Sequence, residues 1–163
     1  MINSFEPIID KDCKILILGT MPGIQSIEKQ EYYGNKRNSF WKIVFFLFDQ
    51  DISSNYQYKK EFLLQHKIAL WDVIKSCDRE GSSDSAIKNP TPNELNKILE
   101  KYPNIKAIYF NGGQAEKFFN RLIAKTISNR SIEFHRLPST SPANTVKFEQ
   151  KFEHWKLILN DLI

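Results

Sequence analysis

Lys14-Ile15-Leu16-Ile17-Leu18, closed by Gly19, is the stretch that decides the fold. After the lysine the run is short, unbroken and apolar, and glycine ends it. Such a run reads as a strand buried on both faces, which happens in parallel sheets covered by helices. Working outward, Ile68 to Ile74 reads as a second strand, Ile105 to Phe110 as a third, buried one, and Ile132 to Leu137 as a fourth. Between them lie helical patterns. Asn38 to Phe48 carries Phe40, Trp41, Val44, Phe45 and Phe48 on one broad apolar face. Tyr58 to Gln65 and Gln114 to about Lys125 read as helices, as does Val146 to Leu162, with Phe148, Phe152, Trp155, Leu159 and Leu162 inward. Thr91, Pro92 and Glu94 fit a capping box, so a helix is expected from there to Tyr102, stopped by Pro103. Residues 75 to 90 are rich in Ser, Asp and Gly and read as a long loop.

Strands alternating with helices imply right-handed crossovers. The expected fold class is α/β: a three-layer sandwich with a central four-stranded parallel sheet, formed by residues 1–163 as a single domain. In such sheets a site lies beyond the carboxyl ends of the strands. Those ends are Gly19 to Gly23, Asp72 to Asn89, Asn111-Gly112-Gly113 and Pro138 to Asn144.

Composition narrows the possibilities. A 41% hydrophobic share with 12 Phe and 3 Trp is enough for a core without a metal or disulfide staple. Cys13 and Cys77 read as free thiols, and two cysteines cannot by themselves hold an iron–sulfur cluster. His66, His135 and His154 have no metal-ligand spacing. No metal and no cofactor are therefore expected. No apolar run reaches membrane-spanning length, and residues 1–7 lack a signal peptide's basic start, so a cytoplasmic protein without a membrane partner is expected. The net charge of +4 suits phosphate backbones without demanding them.

Two segments carry chemistry. The first is Gly19-Thr20-Met21-Pro22-Gly23 followed by Tyr32-Tyr33-Gly34-Asn35-Lys36-Arg37-Asn38-Ser39-Phe40-Trp41. It lacks the Gly-Lys-Ser/Thr ending of a phosphate-binding P-loop. The second is Leu137-Pro138-Ser139-Thr140-Ser141-Pro142-Ala143-Asn144. Each alone reads equally well as a turn or a polar loop. Together and in this order they resemble the uracil-DNA glycosylase superfamily, and most closely its hypoxanthine (deoxyinosine) branch. Trp71-Asp72-Val73-Ile74 with Cys77, Arg79, Gly81, Ser82 and Asp84 to Ile87 extends the resemblance, which runs from about residue 14 to 155.

The resemblance implies a monofunctional DNA N-glycosylase. Its partner would be double- or single-stranded DNA containing deaminated bases, and it would act as a monomer. The motif-one position that usually carries Asp or Asn to place a water is Met21 here, and a thioether cannot do that work. Leu137 stands where the best-known second motif has histidine. In the hypoxanthine branch the asparagine of Asn-x-Phe-Trp is the catalytic candidate, which is Asn38 here. Its amide oxygen would accept from the attacking water; the plainer alternative is a helix cap. Thr20, Met21, Tyr33, Phe40, Asp72 and Asn111 are the candidate base-pocket residues. Tyr33 and Phe40 would stack on the flipped base, although Phe40 suits the core equally. Asn111 would read a base edge or merely make a turn. Asp72 would face the pocket mouth or cap the loop. Pro138, Ser139, Thr140 and Ser141 are the candidate DNA grip, with Ser139 and Ser141 for phosphate; Asn144 reads as the N-cap of the last helix. Two other functions compete: a catalytically silent DNA- or nucleotide-binding module on the same fold, which Met21 favours, and a hydrolase of free nucleosides.

Overall fold

The apolar run at the start of the chain forms a strand, and three others align beside it. The computed structural model describes residues 1–163. Along the chain come β1 (Ile2–Asn3), β2 (Ile15–Gly19), α1 (Ile24–Lys29), α2 (Phe40–Leu47), α3 (Tyr56–Gln65), β3 (Ile68–Asp72) and β4 (Ile74–Asp78). They are followed by β5 (Lys88–Pro92), α4 (Leu95–Lys101), β6 (Ala107–Asn111), α5 (Gly113–Leu122), β7 (Glu133–Leu137) and α6 (Phe148–Trp155). The main sheet has the order β3-β2-β6-β7, and every pairing in it is parallel. The expected three-layer α/β architecture with a four-stranded parallel sheet is therefore the observed one.

Alternation along β2 explains the layers. Leu16 and Leu18 pack with Leu95 and Leu99 of α4 and with Ala115, Phe118 and Phe119 of α5. Ile15 and Ile17 point the other way, onto Phe40, Ile43 and Val44 of α2, Phe62 and Leu63 of α3, and Trp155 of α6. All four apolar residues of β2 are fully buried. Each contributes about 1.5–3 kcal/mol relative to exposure, which is why neither face of this strand tolerates polarity.

Four local expectations are corrected. The run Ile68 to Ile74 is not one strand: the chain leaves the main sheet after Asp72, and Ile74 begins β4 of a second, antiparallel sheet of order β1-β4-β5. The polar stretch 75–90 is accordingly part strand, with a single 3-10 turn at Asp84–Ala86. Thr91 and Pro92 do not start a helix but end β5, and α4 begins at Leu95. Asn93 accounts for this. Its backbone N–H donates to Val73 O at 2.9 Å and its side chain to Asp72 O at 2.7 Å, ties that hold the segment away from helical geometry. Pro92 is tolerated because β5 is an edge strand. The last helix is also shorter than expected: α6 ends at Trp155 and continues as 3-10 helix over Lys156–Asp161. With three residues per turn, Ile158 rather than Leu159 follows Trp155 into the core.

Candidate active site

The carboxyl ends of the four parallel strands open on a cavity of about 820 Å³. All four expected end segments contribute to its wall, and the Tyr32–Asn38 segment closes it from a fifth side. Its titratable wall groups are Tyr32, Tyr33, Asp72 and Asp84; no Lys, Arg, His, Glu or Cys lines it.

Asn38 lies on this wall, half-buried. Its Oδ1 accepts from the Phe40 N–H at 3.0 Å, just before α2. The cap-like and the cavity-facing alternatives thus coexist. The backbone bond identifies the oxygen end of the amide and uses one of its two lone pairs, leaving the other for a water. The neighbouring Ser39 donates to Thr140 O through its N–H at 3.1 Å and its hydroxyl at 3.3 Å, so the two sequence motifs are joined at this point.

Tyr33 is held in a left-handed conformation, φ 53°. For an aromatic residue this is uncommon and costs about 1–2 kcal/mol. The ring stacks on Phe40 with centroids 4.2 Å apart, and its hydroxyl accepts from Asn111 Nδ2 at 3.1 Å. Phe40 itself has no exposed surface and is absent from the cavity wall; it backs Tyr33 and packs edge-on against Trp41 and Trp155. Phe40 is therefore core, and of the two aromatic candidates Tyr33 is the one presented to the cavity.

Asn111 is on the wall, but its hydrogen-bonding capacity is largely committed. Its Nδ2 donates to Tyr33 Oη and to Thr140 Oγ1 at 3.0 Å, and its Oδ1 accepts from the Thr140 N–H at 2.9 Å. It clamps the second motif to the end of β6, which leaves one lone pair on Oδ1 for reading a base edge. Thr140 is only 1% exposed and is the other half of that clamp, so its side chain is not placed to touch a backbone phosphate. Pro138 is off the wall, and its carbonyl accepts from Trp155 Nε1 at 2.9 Å. Ser139 and Ser141 do line the cavity. Their oxygens accept from Ser141 N–H and Ala143 N–H, which leaves each hydroxyl proton to donate. Asn144 caps no helix, for α6 starts beyond Lys147; its amide closes the loop by donating to Ser139 O at 3.0 Å.

Thr20 and Met21 are buried on the wall, at 7% exposure each. Asp72 sits at the end of β3, 4% exposed, and its Oδ2 has no hydrogen-bond partner. Burial, reinforced by the Asp84 charge and opposed by Arg79, pushes its carboxyl up to about 7. Asp84 is raised as well, chiefly by burial, with the Thr20 hydroxyl and Arg79 pulling it back. Sequence reasoning missed Asp84 as a wall residue and Arg79 as its organiser. Arg79 donates through Nη2 to Pro22 O and through Nε to Gly81 O at 2.9 Å, while Ser82 Oγ accepts from the Ile24 N–H at 2.9 Å. The 79–85 segment is thus strapped to the first motif. Its loop-like composition carries no signal for these long-range partners.

Glu133, His135 and Asp161 bring one ligand atom each within 4.8 Å of one another, but off the cavity wall. Cys13 and Cys77 are buried free thiols.

The site is thus a cavity at the carboxyl edge of a parallel α/β sheet, walled by an asparagine amide, an aromatic ring and a buried carboxyl. The chain belongs to the uracil DNA glycosylase superfamily, whose family model matches residues 6–163. It is 37% identical to a hypoxanthine DNA glycosylase of Methanosarcina barkeri, the match covering 94% of each chain. A hypoxanthine DNA glycosylase of Methanosarcina acetivorans is 34% identical, over 96% of each. A solution NMR structure from Methanosarcina acetivorans, described as a uracil DNA glycosylase, superposes with a TM-score of 0.83 at 34% identity, covering 98% of this chain and 97% of that one.

Proposed function

We propose that this protein is a DNA N-glycosylase that takes a deaminated base, hypoxanthine foremost, into the cavity and hydrolyses its bond to the sugar, leaving an abasic site. It would act as a monomer and use no metal. A base in DNA must leave the stack to be cut. The 820 Å³ cavity has room for a purine and for the water that attacks. Tyr33, braced by Phe40, offers the stacking face; such stacking contributes about 1–3 kcal/mol per base. Bond breaking passes through a cation-like sugar. Asn38 would hold the water against C1′ through its free lone pair, acting mainly by position. Ser139 and Ser141 would donate to the flanking phosphates.

The observation that carries this reading is Asn38, pinned by Phe40 N–H on the wall of a cavity that both motifs build. The test is strand cleavage by alkali after incubating the protein with oligonucleotides bearing one hypoxanthine, one uracil or one thymine mismatch, in EDTA. Cleavage at hypoxanthine is expected, reduced about 10²-fold in Asn38→Ala, the low end for residues in proton chemistry because an amide is a poor base. Met21, a thioether on the cavity wall, favours a second reading, the silent binding module. DNA binding without release of any base would establish that reading instead.

A further inference from the structure

We propose that Asp72 is the general acid of the reaction, passing its carboxyl proton to the departing base as the glycosidic bond breaks. The inference rests on the glycosylase reading above and adds a residue role to it. Its first support is placement. Asp72 ends β3 at the back of the cavity, and Gly19 on the neighbouring strand makes room for it. A Cβ on Gly19 would stand 2.6 Å from Asp72 Oδ1 and 2.7 Å from Tyr33 Oη.

The second support is what Asp72 lacks. Its side chain makes no ion pair, and Oδ2 has no partner although it is buried. Buried polar groups with a structural task are almost always bonded; Asn111, in the same wall, is bonded through both ends. An unpartnered carboxyl is unfavourable as an anion and well suited as an acid awaiting an acceptor.

The third support is elimination on the wall. Asn38 is a neutral amide and cannot take or give a proton near neutrality. Tyr32 and Tyr33 are both raised by burial, further from neutral pH. Asp84 is the other carboxyl, but it is more exposed, and the nearby Thr20 hydroxyl and Arg79 favour its charged form. The charged and titratable groups around Asp72 are Asp84 and Arg79 from the strap, Tyr32 and Tyr33 from the loop after α1, and Tyr56 on α3. Their net effect with burial leaves Asp72 substantially protonated near neutral pH.

The step balances as a hydrolysis. The C1′–N bond breaks with its electron pair going to the base, and the Asp72 O–H proton goes to a ring nitrogen or exocyclic oxygen of that base, which leaves neutral. The water held by Asn38 bonds to C1′ and gives up a proton, through solvent, that restores the Asp72 carboxyl.

Single-turnover excision of hypoxanthine from a labelled oligonucleotide, followed from pH 5 to pH 9, tests this with wild type, Asp72→Asn and Asp84→Asn. The wild-type rate is expected to fall about tenfold per pH unit above about 7. Asp72→Asn, folded by circular dichroism, should lose about 10²-fold at pH 6 and show no such fall. Asp84→Asn should keep the fall but move it to lower pH, because the Asp84 charge raises Asp72. A wild-type profile without the alkaline fall, or one that survives in Asp72→Asn, overturns the proposal while leaving the glycosylase reading intact. No base release by wild type on any oligonucleotide overturns both.

Discussion

The buried carboxyl of Asp72 makes stability depend on pH. Its carboxyl is raised to about 7 in the fold, against about 3.9 in an unfolded chain. Between those values the folded state binds more protons than the unfolded one, so stability falls as pH rises from about 4 to about 7. Above that range the full cost of a buried anion is present. Asp72→Asn removes the charge at nearly constant shape. The variant is expected to melt higher than wild type at pH 8, with the gap shrinking at pH 5. For a chain of this size each kcal/mol recovered appears as about 2–4 °C. Thermal melts at the two pH values check it, and an equal gap at both would rule out the buried charge as its cause. Tyr33, on the same wall, is strained by its positive φ. Strain and an unsatisfied buried group side by side mark a site that sacrifices stability for chemistry.

At the scale of elements, the cavity depends on two loops fixed from outside themselves. The 138–144 loop hangs on the Asn111–Thr140 clamp, on Trp155 and on Ser39. It also lies against Gly112, whose φ is 96° and where a Cβ would stand 2.9 Å from Ser139 Cβ. Gly112→Ala therefore combines a left-handed penalty of about 1–2 kcal/mol with displacement of the loop. A loss of about 2 kcal/mol in urea unfolding and a weaker grip on single-site oligonucleotides are expected; unchanged binding would mean that the loop does not hold DNA. These same elements show how far sequence carries. Of the four parallel strands, β2, β3 and β6 were legible because runs such as Ile15 to Leu18 are buried on both faces, a requirement that few residue types meet, whereas β7 is exposed along most of its length. Asp72 and the serines lie at strand ends, where such sheets collect sites, whereas Asn38 and Tyr33 were singled out only through the family resemblance. The antiparallel sheet was not legible. Thr91-Pro92-Asn93-Glu94 fits the local rules for a helix start, and long-range ties decide otherwise: the pairing of Thr91 and Pro92 with β4 and Asn93's bonds to Asp72 and Val73. The positions of Phe40, read as pocket or core alike, and of Thr140 were not legible for a related reason. A pattern shows that a side chain is apolar or small and polar, but not whether it stands in front of another or behind it.

The whole molecule presents its charge away from its chemistry. Net charge is +4, yet the cavity wall has no Lys or Arg and carries two aspartates. Attraction to a phosphate backbone must come from beside the opening. Lys36 and Arg37 are exposed in the segment between Asn35 and Asn38, both of which are on the wall. They are the cations nearest the site in sequence, and Lys151 under the second loop is buried, its ammonium given to Ser141 O. Phosphate contacts from hydroxyls and backbone N–H groups displace no counterions of their own, so the salt dependence of binding counts cations and would not register the contacts proposed for Ser139 and Ser141. Each phosphate neutralised in duplex DNA contributes about 0.9 to the slope of log affinity against log salt. Removing Lys36 and Arg37 together should therefore flatten that slope by about 1.8, while Ser139→Ala and Ser141→Ala weaken binding without changing it. Fluorescence titrations of a duplex between about 50 and 200 mM salt separate the two effects. A slope unmoved by the double substitution would put the DNA on a different basic face, and with it move the flipped base away from Asn38.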